Sequence, residues 1–346
     1  MGVDFSLLEG EYLRDLLDEP RVLEQTLAGL EESAALTQLA RDLERGRFRR
    51  VVLTAMGGSF HALHPLFLSL NRSGFTALMV ETSELIHSMP EALDEATLLI
   101  VVSQSGRSVE IVRLLDMRGD APVIAVTNHA DADLARRADA VVLTQAGEEF
   151  SVSCKTYVAS LLALQWLRGV LCPRDRARVA KDLQGTAPAA EQYLKNWQDH
   201  VRFLWSEMQD VKDIFLVGRG ESQATAGTGG LILKESAKFH AEGMSSAAFR
   251  HGPIEMTDTG VFVLAFEGES AGLNKGLVED VRKASGRSAL VGSEADAAAY
   301  RLPGPWSLAT PILEILPVQM LSLALAARAN REPGKFRWIT KVTTVE

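Results

Sequence analysis

Two hydrophobic periods alternate along the chain. Short runs such as 50–55 (RVVLTA), 98–103, 123–127, 140–143, 213–217 and 261–266 are apolar almost throughout. A strand with this pattern is buried on both faces, as in a parallel sheet covered by helices. Weaker strand signals cover 77–80 and 289–291. Between these runs, apolar residues recur three or four apart, the period of a helix that buries one side. Residues 5–47 show it in Val22, Leu23, Leu27, Leu30, Leu36, Leu39 and Leu43, with Pro20 placed to start the longer helix. The spacing predicts further helices over 60–70, 109–115, 132–137, 152–171, 222–238, 273–284 and 311–329. Pro173 stops the long apolar helix, and Pro317 is expected to bend the last one.

Strand and helix in alternation give an α/β protein. The segments 51–59 (VVLTAMGGS) and 214–222 (IFLVGRGES) repeat one pattern of strand, glycine turn and serine. The repeat implies two similar α/β halves. The expected layout is a helical segment at 1–30, a first half at 31–172, a helical bridge at 173–210, a second half at 211–330 and a tail at 331–346. The bridge carries Leu183, Tyr193, Leu194, Trp197, Val201, Leu204 and Trp205 on its apolar side.

Composition narrows the function classes. The 346 residues are 47% hydrophobic and 23% charged, enough apolar material for two ordinary cores. A formal net charge of -9 disfavours general binding to nucleic acid or an anionic membrane, and leaves room for a local anion pocket. Asp4, Glu9, Glu11 and Arg14 interrupt the apolar runs at the start, so no signal peptide is expected. No stretch is expected to span a bilayer. Cys154 and Cys172 sit among apolar residues and are expected as buried thiols in a reducing, cytoplasmic setting.

The candidate chemistry falls in three places. Ser103-Gln104-Ser105-Gly106-Arg107-Ser108 lies between a buried strand and a helix. Three hydroxyls, an amide and free backbone N–H groups there make an anion cradle, where a helix cap alone needs one serine. Gly57-Gly58-Ser59 is a second turn of the same kind. Further on, Lys234-Glu235 interrupts an apolar helix sixteen residues before His251-Gly252-Pro253. A half-buried glutamate suits proton transfer near neutral pH, and a histidine on a Gly-Pro turn is held in place and titrates there. His61 and His64 lack a third ligand, and no metal or cofactor is expected. His240 and Glu242 read as support for the end of the Glu235 helix, and His87, His129 and His200 as surface residues.

Taken together, strand-GGS-helix, SQSGRS, LKE…HAE…RHGP and the terminal TKVTTVE resemble the sugar isomerase (SIS) family. Within it they are most similar to the isomerase half of glucosamine-6-phosphate synthase, over about residues 30–346. The resemblance implies two SIS-type parallel-sheet subdomains with flanking helices, in a flavodoxin-like three-layer arrangement. It implies that Gly58, Ser59, Ser103, Gln104, Ser105 and Ser108 hold a sugar phosphate, and that Ser151 and Ser153 contact sugar hydroxyls. Glu235 then moves a proton between C1 and C2, and His251 opens the sugar ring from the partner subunit of a homodimer. Lys341 engages the open-chain carbonyl as a Schiff base.

Three departures stand out. No cysteine precedes residue 154, so the glutaminase half of that synthase has no counterpart in this sequence. Ile232 takes the place of a second lysine, and Val342 that of a serine after the tail lysine. The expected activity is conversion of glucosamine 6-phosphate to fructose 6-phosphate and ammonia. The alternatives are a ketosamine-6-phosphate deglycase and a non-catalytic sugar-phosphate sensor; for the last, 5–47 lacks a basic recognition helix.

Overall fold

The runs that are apolar throughout become strands of two parallel sheets in the computed structural model, interior ones except for 140–143, which forms an edge with alternating burial. Residues 2–269, 271–304, 307–338 and 340–341 are described; Val342 lies outside them. The chain divides into two units that each hold one sheet.

The first unit comprises Arg21–Glu148, Lys155–Gln184 and the tail from Ile339. Its strands are β1 (Arg50–Ala55), β2 (Ala77–Glu81), β3 (Thr97–Val102), β4 (Val123–Thr127) and β5 (Ala140–Leu143), in the order β2-β1-β3-β4-β5. This is the doubly wound order of flavodoxin-like sheets. Central β3 is buried along its whole length. One face of the sheet, with Val52, Leu99, Val101, Val123 and Ala125, packs on Leu85 and Ile86 and on Ile111, Leu114 and Leu115. Those residues come from the helices Thr82–Ser88 and Val109–Met117. The helix Lys155–Leu171 buries every residue but Trp166, which explains its lack of a polar stripe.

The second unit comprises residues up to Pro20, Glu149–Cys154 and Gly185–Trp338. Its strands are β6 (Asp213–Gly218), β7 (Ala241–Ser245), β8 (Val261–Phe266) and β9 (Arg287–Val291), in the order β7-β6-β8-β9. Phe215, Val217, Val263 and Ala265 pack on Phe249 and on Leu277, Val278 and Val281 of the helix Ala271–Lys283. The helices Gln223–Ala237 and Ile315–Arg328 pack together on the other side.

The repeated segments coincide in backbone as well as in sequence. Met56 (φ -124°, ψ 155°) and Arg219 (φ -128°, ψ 155°) are both extended caps, each followed by a glycine at φ 56°. Only glycine takes that left-handed conformation at little cost.

Several expectations need correction. Strand β7 carries Glu242 and Gly243 and no β-branched residue, so it gives no strand signal. It is an edge strand held by packing: a Cβ on Gly243 would lie 1.9 Å from the Ala226 carbonyl oxygen. The last helix breaks at Glu314, before Pro317, into Thr310–Leu313 and Ile315–Arg328. Pro317 has no N–H to give Leu313 and its ring crowds that carbonyl, so the break falls one turn early. Helix 60–70 is likewise split into Gly57–Ala62 and His64–Arg72, with Pro65 in the first turn of the second piece. The run Thr310–Arg328 is, against expectation, long and apolar enough to cross a membrane by length and composition, but 89% of it is buried inside the protein. His200 is buried: its ring stacks on Tyr193 with centroids 4.4 Å apart, and Nε2 lies 3.1 Å from the Tyr193 carbonyl. Both cysteines are buried thiols.

One buried acid was not anticipated. Glu314 is fully buried, and its carboxyl accepts hydrogen bonds from Ser222 Oγ (2.9 Å) and Thr225 Oγ1 (3.3 Å). Burial pushes it up to about 8, against the pull of those hydroxyls. A carboxyl raised in the folded state stabilises fully below its unfolded value, and that contribution is lost as pH rises toward the folded value. The melting temperature is therefore expected to fall between pH 5 and pH 8.5. Glu314→Gln should flatten that slope and melt above the native chain at pH 8.5; an unchanged slope would contradict the assignment.

Candidate active site

The winding of the first sheet reverses between β1 and β3. The loops leaving the carboxyl ends of these strands diverge there, which is where open α/β sheets bind ligands. From β1 the chain makes the Gly57 turn and enters Gly57–Ala62, placing Gly58 and Ser59 half-buried at the start of that helix. From β3, its neighbour in the sheet, the chain enters Ser103–Ser108. Residues distant in sequence thus reach one crevice.

The second loop is pinned along its length. Ser103 Oγ accepts the Gly106 N–H (3.0 Å) and Ser105 Oγ accepts the Arg107 N–H (3.3 Å). The Gln104 carbonyl accepts from the Asn128 N–H (3.2 Å) and Thr127 Oγ1 (3.4 Å), and the Gly106 carbonyl from the Leu134 N–H (3.1 Å). Gly106 is left-handed (φ 61°), and a Cβ there would lie 2.7 Å from Ala132 Cβ. Ser108 stands at the cap position of Val109–Met117, but its hydroxyl makes no capping bond. Ser103, Gln104, Ser105 and Ser108 are all half-buried. The loop therefore has fixed backbone, hydroxyls within reach of solvent and a helix start behind it, the requirements of an anion cradle.

The matching crevice of the second sheet is different. Its turn ends in Glu221 and Ser222, both buried, and Ser222 is spent on Glu314. The repeat is one of backbone, and the hydroxyl-rich loop belongs to the first sheet.

The remaining predicted residues lie as follows. Glu235 is half-buried in the last turn of Gln223–Ala237, while Lys234 is exposed. Lys238, in left-handed conformation (φ 55°), ends that helix and donates from Nζ to the Glu235 carbonyl. Burial and then the Arg337 cation hold Lys238 below the usual lysine range, with Glu235 opposing them. Sequence reading passed over Lys238, since a lysine ending a helix is common. His251 is exposed and follows the helix Ser246–Arg250, its N–H on the Ala248 carbonyl (3.0 Å), with Gly252 at φ 148° behind it. Ser151 is buried and donates to the Gly334 carbonyl (2.9 Å); Ser153 is half-buried. Glu235, His251, Ser151 and Ser153 belong to the second unit, and Lys341, half-buried, to the first.

His240 does not support the Glu235 helix. Its Nδ1 lies 2.6 Å from Asp213 Oδ1, joining the starts of β6 and β7 at the amino end of the sheet. His129 is half-buried beside the cradle, with Nε2 3.4 Å from Gln104 Nε2. His64 is held near 4 by burial and then by His61. Asp15, Glu149 and Cys154, buried in the second unit, bring one donor atom each within 4.8 Å of one another. The Cys154 N–H and thiol both bond to Glu149, at 3.0 and 3.5 Å. Sequence spacing gave no signal for that group, because only the fold brings Asp15 to it.

Gly106→Ala tests the cradle directly. Strain at that position costs about 1–3 kcal/mol. Urea unfolding should show that loss, and binding of inorganic phosphate should weaken with it. Unchanged stability and binding would mean that the loop is not pinned.

Comparison with known proteins agrees with the two-sheet fold. The SIS domain model matches residues 47–167 and again 207–327, once over each sheet. A glutamine--fructose-6-phosphate aminotransferase [isomerizing] from Thermococcus kodakarensis is 28% identical over 355 residues, 96% of this chain. The chain spans 58% of that relative's length. Among solved structures, the C-terminal domain of glucosamine-fructose-6-phosphate aminotransferase from Francisella tularensis superposes with a TM-score of 0.79 at 20% identity, covering 97% of this chain and 98% of that one. Glucosamine-6-phosphate deaminase from Thermotoga maritima does so with a TM-score of 0.80 at 17% identity, covering 97% and 100%. With the domain model matched twice, the chain belongs to the SIS domain family.

Proposed function

We propose that this chain is a phosphosugar isomerase-type enzyme acting on an amino- or keto-hexose 6-phosphate. The observation that carries the reading is the pinned loop Ser103–Ser108 beside Ser59, at the winding reversal of the first sheet. It offers hydroxyls and N–H groups to a phosphate. Anchoring the phosphate far from C1 uses remote binding energy to orient the reacting end. Gly58, Ser59, Ser103, Gln104, Ser105 and Ser108 hold the phosphate in this reading, with Ser153 on the sugar hydroxyls. Ser151 has the weaker case, since its hydroxyl is bonded to Gly334.

The reaction we favour is glucosamine 6-phosphate plus water to fructose 6-phosphate plus ammonia. His251 exchanges the proton that opens the ring. Glu235 takes the C2 proton and returns it to C1, which leaves an imine at C2 for water to hydrolyse. Lys341 engages the open-chain carbonyl. The half-burial of Glu235 supports its role as a carboxylate that cycles through both protonation states. The exposure of His251 supports its donation to a second copy in a homodimer. A cytoplasmic location belongs to the same reading.

One observation favours the deglycase reading. Ile232, where the resemblance places a lysine, is 1% exposed in the core. The lysine missing one turn before Glu235 is the departure that leaves a different substrate amine open.

Ammonia release from glucosamine 6-phosphate, with fructose 6-phosphate measured alongside, tests the proposal. Both products should appear one to one, and Glu235→Gln should lower the rate by about 10²–10⁴. Release from a fructosamine 6-phosphate alone would select the deglycase. Equal rates in Glu235→Gln and the native chain would remove Glu235 from the chemistry.

A further inference from the structure

The cradle loop does not stand alone at the winding reversal. β4 lies beside β3 in the sheet, and the chain leaving its carboxyl end carries His129. The two loops are locked together by the Gln104 carbonyl on Asn128 and Thr127, and by the Gly106 carbonyl on Leu134. Across this joint the Gln104 side-chain nitrogen faces His129 Nε2 at 3.4 Å. An amide nitrogen only donates, so in this arrangement His129 Nε2 is the acceptor and the ring carries its proton on Nδ1.

That pairing bears on the ligand. With one N–H given to His129, the Gln104 amide keeps one N–H for an anion, beside a carbonyl oxygen that repels it. When His129 carries a proton on Nε2, the pairing reverses: Gln104 must present its oxygen to the ring, and its N–H₂ is freed. We propose that His129 is a positioning residue that selects the orientation of the Gln104 amide, so that the cradle holds an anion more tightly when His129 is protonated. The inference rests on the reading of Ser103–Ser108 as an anion cradle. The two locked backbones keep the side chains within reach of each other, so the amide answers the ring by rotation and not by loop movement.

Other charges lie on the same loops. Arg107 of the cradle loop is paired with Asp131 at 2.7 Å, and Asp133 with Arg136 at 2.8 Å. Glu148 follows Gly147, whose carbonyl accepts the Asn128 amide at 2.8 Å. Histidine is the side-chain type of this set whose charge can change between pH 6 and pH 8.

Sulfate is the probe, because its own charge is constant over that range. Its dissociation constant, measured by calorimetry on the full chain, should rise about fivefold from pH 6 to pH 8, the lower end of couplings between linked sites. His129→Asn keeps a polar partner for Gln104 but cannot titrate, and should make the constant independent of pH. Gln104→Met separates the routes. If its pH dependence is also lost, His129 acts through the amide as proposed. If it persists, His129 acts on the anion directly and the positioning role is overturned. A slope that survives in His129→Asn also overturns the inference while leaving the cradle intact. Failure of sulfate and inorganic phosphate to bind at any pH would overturn the cradle itself.

Discussion

A parallel sheet wound in two directions has to reverse its winding once, and the carboxyl ends of two neighbouring strands then part. In the first sheet this happens between β1 and β3. The candidate chemistry of that unit hangs on this one constraint. It exists because both strands are buried on both faces and cannot slide or turn outward. A slip in their register would carry the serines of the two loops away from each other.

The same backbone device occurs twice and is put to different use. Gly57 and Gly220 take the same left-handed turn after the first strand of each sheet. In the first sheet the turn leads to Ser59 and an opening loop of hydroxyls. In the second it leads to Ser222, whose hydroxyl is bonded to the fully buried Glu314. An opening loop of hydroxyls and a closed, buried carboxyl are thus alternatives on one frame. One difference between them is the Glu314 carboxyl, where the last helix breaks.

Much of this was legible in the sequence. Continuous apolar runs located β1, β4, β5 and β8 to the residue, because a short run with few polar positions between turn residues has clear ends. The pinned loop Ser103–Ser108 stood out because three serines exceed what a helix cap needs. Features that depend on a partner far along the chain were not. β7 has little strand character of its own and is placed by the helix whose Ala226 carbonyl lies under Gly243. His129 read as a surface residue because nothing near it in sequence announces Gln104. His200, in a polar stretch, is buried by stacking on Tyr193. The group of Asp15, Glu149 and Cys154 is assembled from distant segments in the same way.

The central claim is that a sugar phosphate held in this cradle has a proton moved between C1 and C2. The most direct measurement is proton NMR of fructose 6-phosphate incubated with the protein in deuterium oxide. The account predicts stereospecific loss of one C1 proton signal, with no exchange for fructose, which lacks the phosphate. Binding of fructose 6-phosphate with no C1 exchange, in the presence of ammonium as well as without it, would contradict the claim.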